Sequence, residues 1–177
     1  MSIETLLWLF PVTFMIHDFE EIVGMHAWLD ANRRKIQTLP AFLQRMLSAQ
    51  QSLSTASFAM MVAVIFLIFV LLTFLTVQFK LFTFFFCVLL FYEIHLVIHV
   101  IQWIAWRGYV PAVITSILTF PYGIFALYVL ESQHLIGGGS GVLMLTVVVS
   151  VLGITGLLGL FRFAGAFEKW LHGFKVD

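Results

Sequence analysis

Charged side chains are scarce in this sequence. Nine basic and nine acidic residues among 177 make up 10% of the chain, where a soluble domain carries about 25%. They cancel to a formal net charge of zero, so no field of one sign draws the chain to nucleic acid, and no nucleic-acid partner is expected. Cysteine is nearly absent. Cys87 stands alone, which rules out an internal disulfide, and its apolar surroundings mark it as a packing residue. The opening MSIET has neither a basic n-region nor a small-residue cleavage site, so the first apolar segment is expected to stay in place. Hydrocarbon fills the chain instead, with 62% hydrophobic residues and 20 phenylalanines. That balance defines a membrane protein, and the length suits a single integral membrane domain, residues 1–177.

A transmembrane helix needs about 20 mostly apolar residues. Five stretches reach that length: residues 4–25, 54–78, 81–106, 110–132 and 141–162. The expected fold is all-α, a polytopic membrane helical bundle of about five transmembrane helices. After the first span, HAWLDANRRKIQTLPAFLQRMLSAQQS predicts a short interfacial helix, capped by Thr38 with Pro40 in its first turn. Ala41, Phe42, Met46 and Leu47 then face the membrane, and Gln44, Arg45 and Gln50 face water. Lysine and arginine mark the cytoplasmic side of short loops. With the N-terminus outside and the C-terminus cytoplasmic, that side collects Arg33, Arg34, Lys35, Arg45, Arg107, Arg162, Lys169 and Lys175, leaving Lys80 outside. In the fifth span Gly153, Gly156 and Gly159 form a small-residue stripe, suited to close packing inside the bundle or to a homodimer.

Against this background MIHDFEEIVG, Met15 to Gly24, sets four ionisable side chains in an apolar span. Ionisable groups are costly in hydrocarbon, so such a cluster reads first as a site. On a helix, Glu21 lies about 40° from His17 and Glu20 about 60° to the other side, so the three share a face, with Asp18 at its border. The third span reads FYEIHLVIHVIQW. There His95, His99 and Gln102 line one face, and Glu93 lies about 160° from His95. Both spans run from outside to inside. His17 lies nine residues before the end of its span at His26, and His99 eight before Arg107, which places both about 12 to 14 Å from that end. The two clusters share a depth. Thr115, Thr119 and Tyr122 add a polar stripe on the fourth span.

Three imidazoles and two carboxylates supply donors for a divalent zinc, iron or manganese ion. One ion would use His17, Glu21, His95 and His99, leaving Glu20 as a supporting group or general base. Two ions would let Glu20 or Glu21 bridge them. Zinc with Glu20 as the base implies hydrolysis, and iron implies oxidation. The substrate is then apolar or lipid-like and enters from the lipid bilayer, with Thr115, Thr119, Tyr122 and Gln102 lining its pocket. A His and carboxylate network that only ties helices together is the structural alternative. An interhelical polar contact is worth under about 2 kcal/mol, too little to account for five such groups at one depth. His26, His134 and His172, at an interface, in a loop and in the tail, read as ordinary polar residues. Two other functions stay open: a metal-free acid/base isomerase of the sterol-isomerase type using Glu20 and Glu21, and a small metal- or proton-handling membrane protein. The lack of a second polar cluster toward the outside speaks against the last.

HDFEE, His17 to Glu21, resembles the signature of the HXXEE domain family of small bacterial membrane proteins. The similarity runs through HLVIHVIQW, His95 to Trp103, and YVPAVITSILTFPYG, Tyr109 to Gly123. The resemblance implies a metal-binding membrane domain with a catalytic use, located in the bacterial inner membrane. Where it leads one to expect glycine after the proline of Tyr-x-Pro, Ala112 stands, which puts the local backbone in question. HDFEE is also similar in part to the inverted zinc-peptidase pattern HxxEH, with Glu21 in place of the second histidine. By that resemblance Glu20 would activate the attacking water.

Overall fold

The structure, a computed structural model, describes residues 1–173; Lys175, counted above on the basic side, lies outside them. Regular structure among the described residues is helical: α1 (Ile3–Ala31), α2 (Arg33–Ile36), α3 (Ala41–Gln51), α4 (Thr55–Phe79), α5 (Phe82–Trp106), α6 (Val113–Ser132) and α7 (Gly139–His172). Four of these, α4 to α7, are long and apolar enough to cross a membrane. The 29 residues of α1 match them in length, and the acidic residues of its second half set it apart in composition. The chain is an all-α polytopic membrane bundle.

Local chemistry sets most helix starts. The hydroxyls of Ser2 and Ser54 accept the N–H groups of Thr5 and Ser57, each at 3.2 Å, which satisfies donors left over in a first turn. The interfacial helix departs from expectation. Thr38 does not cap it, because the Thr38 hydroxyl donates to Lys35 O at 2.7 Å and closes the one-turn helix α2 instead. Pro40 then precedes α3 rather than lying in its first turn. Phe42 and Met46 are exposed as predicted, whereas Leu47 packs inward on Met25, Leu29 and Ile36. The last span also differs. α7 runs past residue 162 to His172, about 51 Å of helix against a hydrocarbon core of about 30 Å. His172 therefore ends a helix rather than a tail, and its Nε2 lies 3.1 Å from Glu168.

Neighbour packing orders the long helices as a ring: α1, α4, α7, α5, α6 and back to α1. α1 and α5 face each other across it, and large side chains fill the gap. Phe10 is fully buried, with ring centroids 4.7 Å from Phe69, 5.4 Å from Phe85 and 5.5 Å from Tyr92. Such pairs contribute about 0.5–1.5 kcal/mol each. Packing of this kind matters in lipid, where apolar burial gives helices no net drive to associate. Cys87 is buried in the same core. Gly153 lets α7 close on Phe91, since a Cβ there would stand 2.8 Å from its ring, while open space surrounds Gly156 and Gly159.

Hydrogen bonds fix the two ends of the bundle. Lys35 Nζ donates to Trp106 O at 2.6 Å and Trp28 Nε1 to Tyr109 O at 2.7 Å, so the end of α1 meets the end of α5. Ser54 N donates to Glu168 Oε2 at 2.9 Å, which brings the start of α4 to the late turns of α7. At the opposite end Gly137 N donates to Thr83 Oγ1 at 3.0 Å. The first end carries Arg33, Arg34, Lys35, Arg45, Arg107 and Lys169, and the second carries Lys80.

Candidate metal centre

α1 and α5 each present two donors to the middle of the ring, spaced four residues apart so that both lie on one helix face. His17 Nε2 is 3.4 Å from His95 Nε2, which is 3.0 Å from His99 Nε2, which in turn is 3.3 Å from Glu21 Oε1. One donor atom from each of the four residues lies within 4.8 Å of every other. His17, Glu21 and His99 are buried, at 0%, 9% and 5% exposure. The Tyr92 ring meets the His17 imidazole edge-on, with centroids 5.9 Å apart, and walls the cluster from the phenylalanine core.

Proton counting shows what this arrangement lacks. A ring nitrogen of neutral histidine carries either one proton or one in-plane lone pair, so it completes one hydrogen bond. Along His17, His95, His99 and Glu21 there are three contacts, and no assignment of protons makes all three hydrogen bonds. Bonds between His17 and His95 and between His99 and Glu21 leave the shortest contact, 3.0 Å between His95 and His99, without one. A cation at the centre would use all four lone pairs together. Tetrahedral donors at about 2.05 Å from an ion stand about 3.3 Å apart, close to the three contacts observed.

Two hydroxyls stand at the other ring nitrogen of His17. Thr115 Oγ1 donates to Glu20 Oε2 at 2.6 Å, which commits its only proton. Toward His17 Nδ1, 3.5 Å away, that hydroxyl is an acceptor, and Ser116 Oγ stands 3.4 Å from the same nitrogen. With its proton on Nδ1, facing these two oxygens, His17 would turn the Nε2 lone pair to the cluster, as a ligand histidine requires.

Glu20 does not join the four donors. α6 begins after Ala112, whose methyl group cannot cap it, and Glu20 closes that end from α1. Its Oε2 accepts Thr115 N at 2.8 Å, and its Oε1 accepts the Tyr109 hydroxyl at 2.7 Å. Burial, and then the Glu20 carboxylate beside it, push the Tyr109 phenol up to about 12, so it remains a donor at neutral pH.

The other residues that sequence placed in the site divide. Thr115 lies against His17 and Glu20. Thr119 is buried but donates to Thr115 O at 2.7 Å, and the Tyr122 hydroxyl donates to Leu6 O at 2.8 Å; both satisfy backbone carbonyls. Gln102 is exposed on α5. Asp18 is more deeply set than a border residue, at 6% exposure, with Oδ2 lacking a partner among the described residues. Sequence reasoning missed Ser116 and assigned Tyr109 no role. Ser116 is adjacent to Thr115 at the start of α6, and Tyr109 opens the Tyr-x-Pro segment, so adjacency to those features was the available signal.

An α-helical membrane bundle with three histidines and a glutamate converging inside it is the class of protein that fold and cluster define. Residues 8–126 match the family described as "Protein of unknown function with HXXEE motif". The chain belongs to that family. No curated protein and no solved structure matches it.

Proposed function

We propose that this chain is a metal-dependent integral membrane enzyme whose cluster of His17, Glu21, His95 and His99 holds one divalent ion, zinc or iron. The observation that carries the reading is the unsatisfiable contact between His95 and His99 inside a converging set of four donors. Three nitrogens and one carboxylate oxygen suit either metal, and convergence on one point favours a single ion over two. Such an ion would supply a Lewis acid for hydrolysis or a redox centre for oxidation. The protein's own part is to hold the donors, fix the His17 tautomer through Thr115 and Ser116, and keep water out with the aromatic wall. Glu20, next to Glu21 in sequence, is the carboxylate available as a general base. The substrate is apolar or lipid-like, since the cluster lies within a bundle surrounded by lipid. The lysines and arginines gathered at one end support a cytoplasmic location for that end, with the N-terminus outside, and the family resemblance supports a bacterial inner membrane.

Metal analysis of protein purified without chelator tests this. About one equivalent of zinc or iron per chain is expected, falling below about 0.2 in His99→Ala. Wild-type protein already below that level, with His17→Ala no different, overturns the reading.

A further inference from the structure

The loop between α5 and α6, residues 107–112, is strained at both ends and fastened along its length. Arg107 and Ala112 have φ of 56° and 73°, left-handed values that a side chain with a Cβ resists, and such backbone persists only where its surroundings hold it. Here the holders come from the end of α1 and from α2. Lys35 binds Trp106 O just before the loop and Trp28 binds Tyr109 O. The Tyr109 hydroxyl binds Glu20. Val110, Pro111 and Ala112 are buried, and Pro111 lies against Gly24, where an added Cβ would stand 3.5 Å from its ring. The loop then enters α6, whose Thr115 and Ser116 touch His17. It reaches the donor cluster through Glu20 and through the first turn of α6.

We infer that this loop is a strap closing the cluster toward the basic end of the bundle, with the hydrogen bond between Tyr109 and Glu20 as its releasable fastening. The inference rests on the cluster being the working site. One carboxylate does two jobs that exclude each other. While the strap is closed, Glu20 accepts from Tyr109 and from two groups of Thr115, so it is held off the four donors. When Tyr109 leaves, Oε1 is free to turn toward the cluster while Oε2 stays on Thr115. Closure and the supply of a base thus alternate, and Tyr109 is the positioning residue that sets the balance.

The test is acylation of the purified, metal-free full chain by diethyl pyrocarbonate, mapped histidine by histidine by mass spectrometry. In Tyr109→Phe, modification of His17, His95 and His99 is expected to speed up about fivefold or more, as a local opening requires. The other three histidines, His26, His134 and His172, keep their wild-type rates. Trp28→Phe removes the donor to Tyr109 O without touching Glu20, and should move the same three histidines in the same direction; it carries the test if Tyr109→Phe does not fold. Unchanged rates at the cluster overturn the strap, as does an equal rise at all six histidines, which reports general loosening. The readout needs no metal, so it can fail or succeed independently of the metal analysis.

Discussion

Glu93 lies on the face of α5 turned away from His95, where sequence assigned it a contact of its own. The structure buries it to 3% exposure against Gly123 of α6, with neither carboxylate oxygen partnered among the described residues. A Cβ added at Gly123 would overlap the Glu93 carboxyl group, so α5 and α6 approach as closely as they do only because residue 123 has no side chain. Gly123→Ala is expected to destabilise the protein by about 1–3 kcal/mol, the range for overpacking. Combining it with Glu93→Ala should recover most of that loss, because the second change removes the atoms that clash. Denaturant unfolding of both single variants and the double variant measures the coupling, and strict additivity would show that the contact carries no energy. Ala112 is the reverse case. It adopts a left-handed backbone that costs a residue with a Cβ about 1–2 kcal/mol, at a position where the family resemblance leads one to expect glycine. The backbone conformation survives the departure because Val110, Pro111 and Ala112 are packed under α1.

Two helices of the bundle have their first turns closed by carboxylates from elsewhere in the chain. Glu20 of α1 does this for α6. Glu168 of α7 does it for α4, accepting Ser54 N at 2.9 Å and the Ser54 hydroxyl at 2.5 Å while its other oxygen meets His172. Glu168→Gln keeps an acceptor but loses the charge that faces the positive end of the helix. The expected loss is about 1 kcal/mol, comparable to losing an N-cap, and the amides of residues 54–58 should exchange faster with deuterium. Unchanged exchange there would show that Ser54 alone suffices. These closures mark the limit of what sequence reveals about elements. The long helices are legible because a run of about 20 apolar residues has no other use in a membrane. The carboxylate caps are not, because Glu168 and Ser54 lie 114 positions apart and Glu20 and Thr115 95 apart, and no local pattern signals such a pairing. α2 stayed hidden for a different reason: four residues are too few to show a period.

At the scale of the whole molecule, the convergence of α1 and α5 was legible because the bilayer acts as a common ruler. Two polar faces at one depth in spans that run in the same direction can meet, and His17 and His95, 78 positions apart, stand 3.4 Å from each other. Rotation about the helix axis was less legible. Thr119 and Tyr122, expected to line a pocket, donate to the backbone carbonyls of Thr115 and Leu6, because the ring order of the helices decides which face looks inward. That same ring makes the donor set a link between α1 and α5, which otherwise meet mainly through aromatic side chains. A ligand that binds the folded bundle and not the unfolded chain stabilises it in proportion to the logarithm of its concentration. Zinc at about 100 times its dissociation constant should therefore add about 2.7 kcal/mol, raising Tm by about 5–10 °C for a chain of this size. His95→Ala should abolish the rise, because it removes the nitrogen that touches both other imidazoles. Glu20→Gln should keep most of it, since Glu20 binds Thr115 and Tyr109 rather than the centre. Thermal scans of the three proteins with and without zinc check this. An equal rise in wild type and His95→Ala would mean that the ion binds elsewhere.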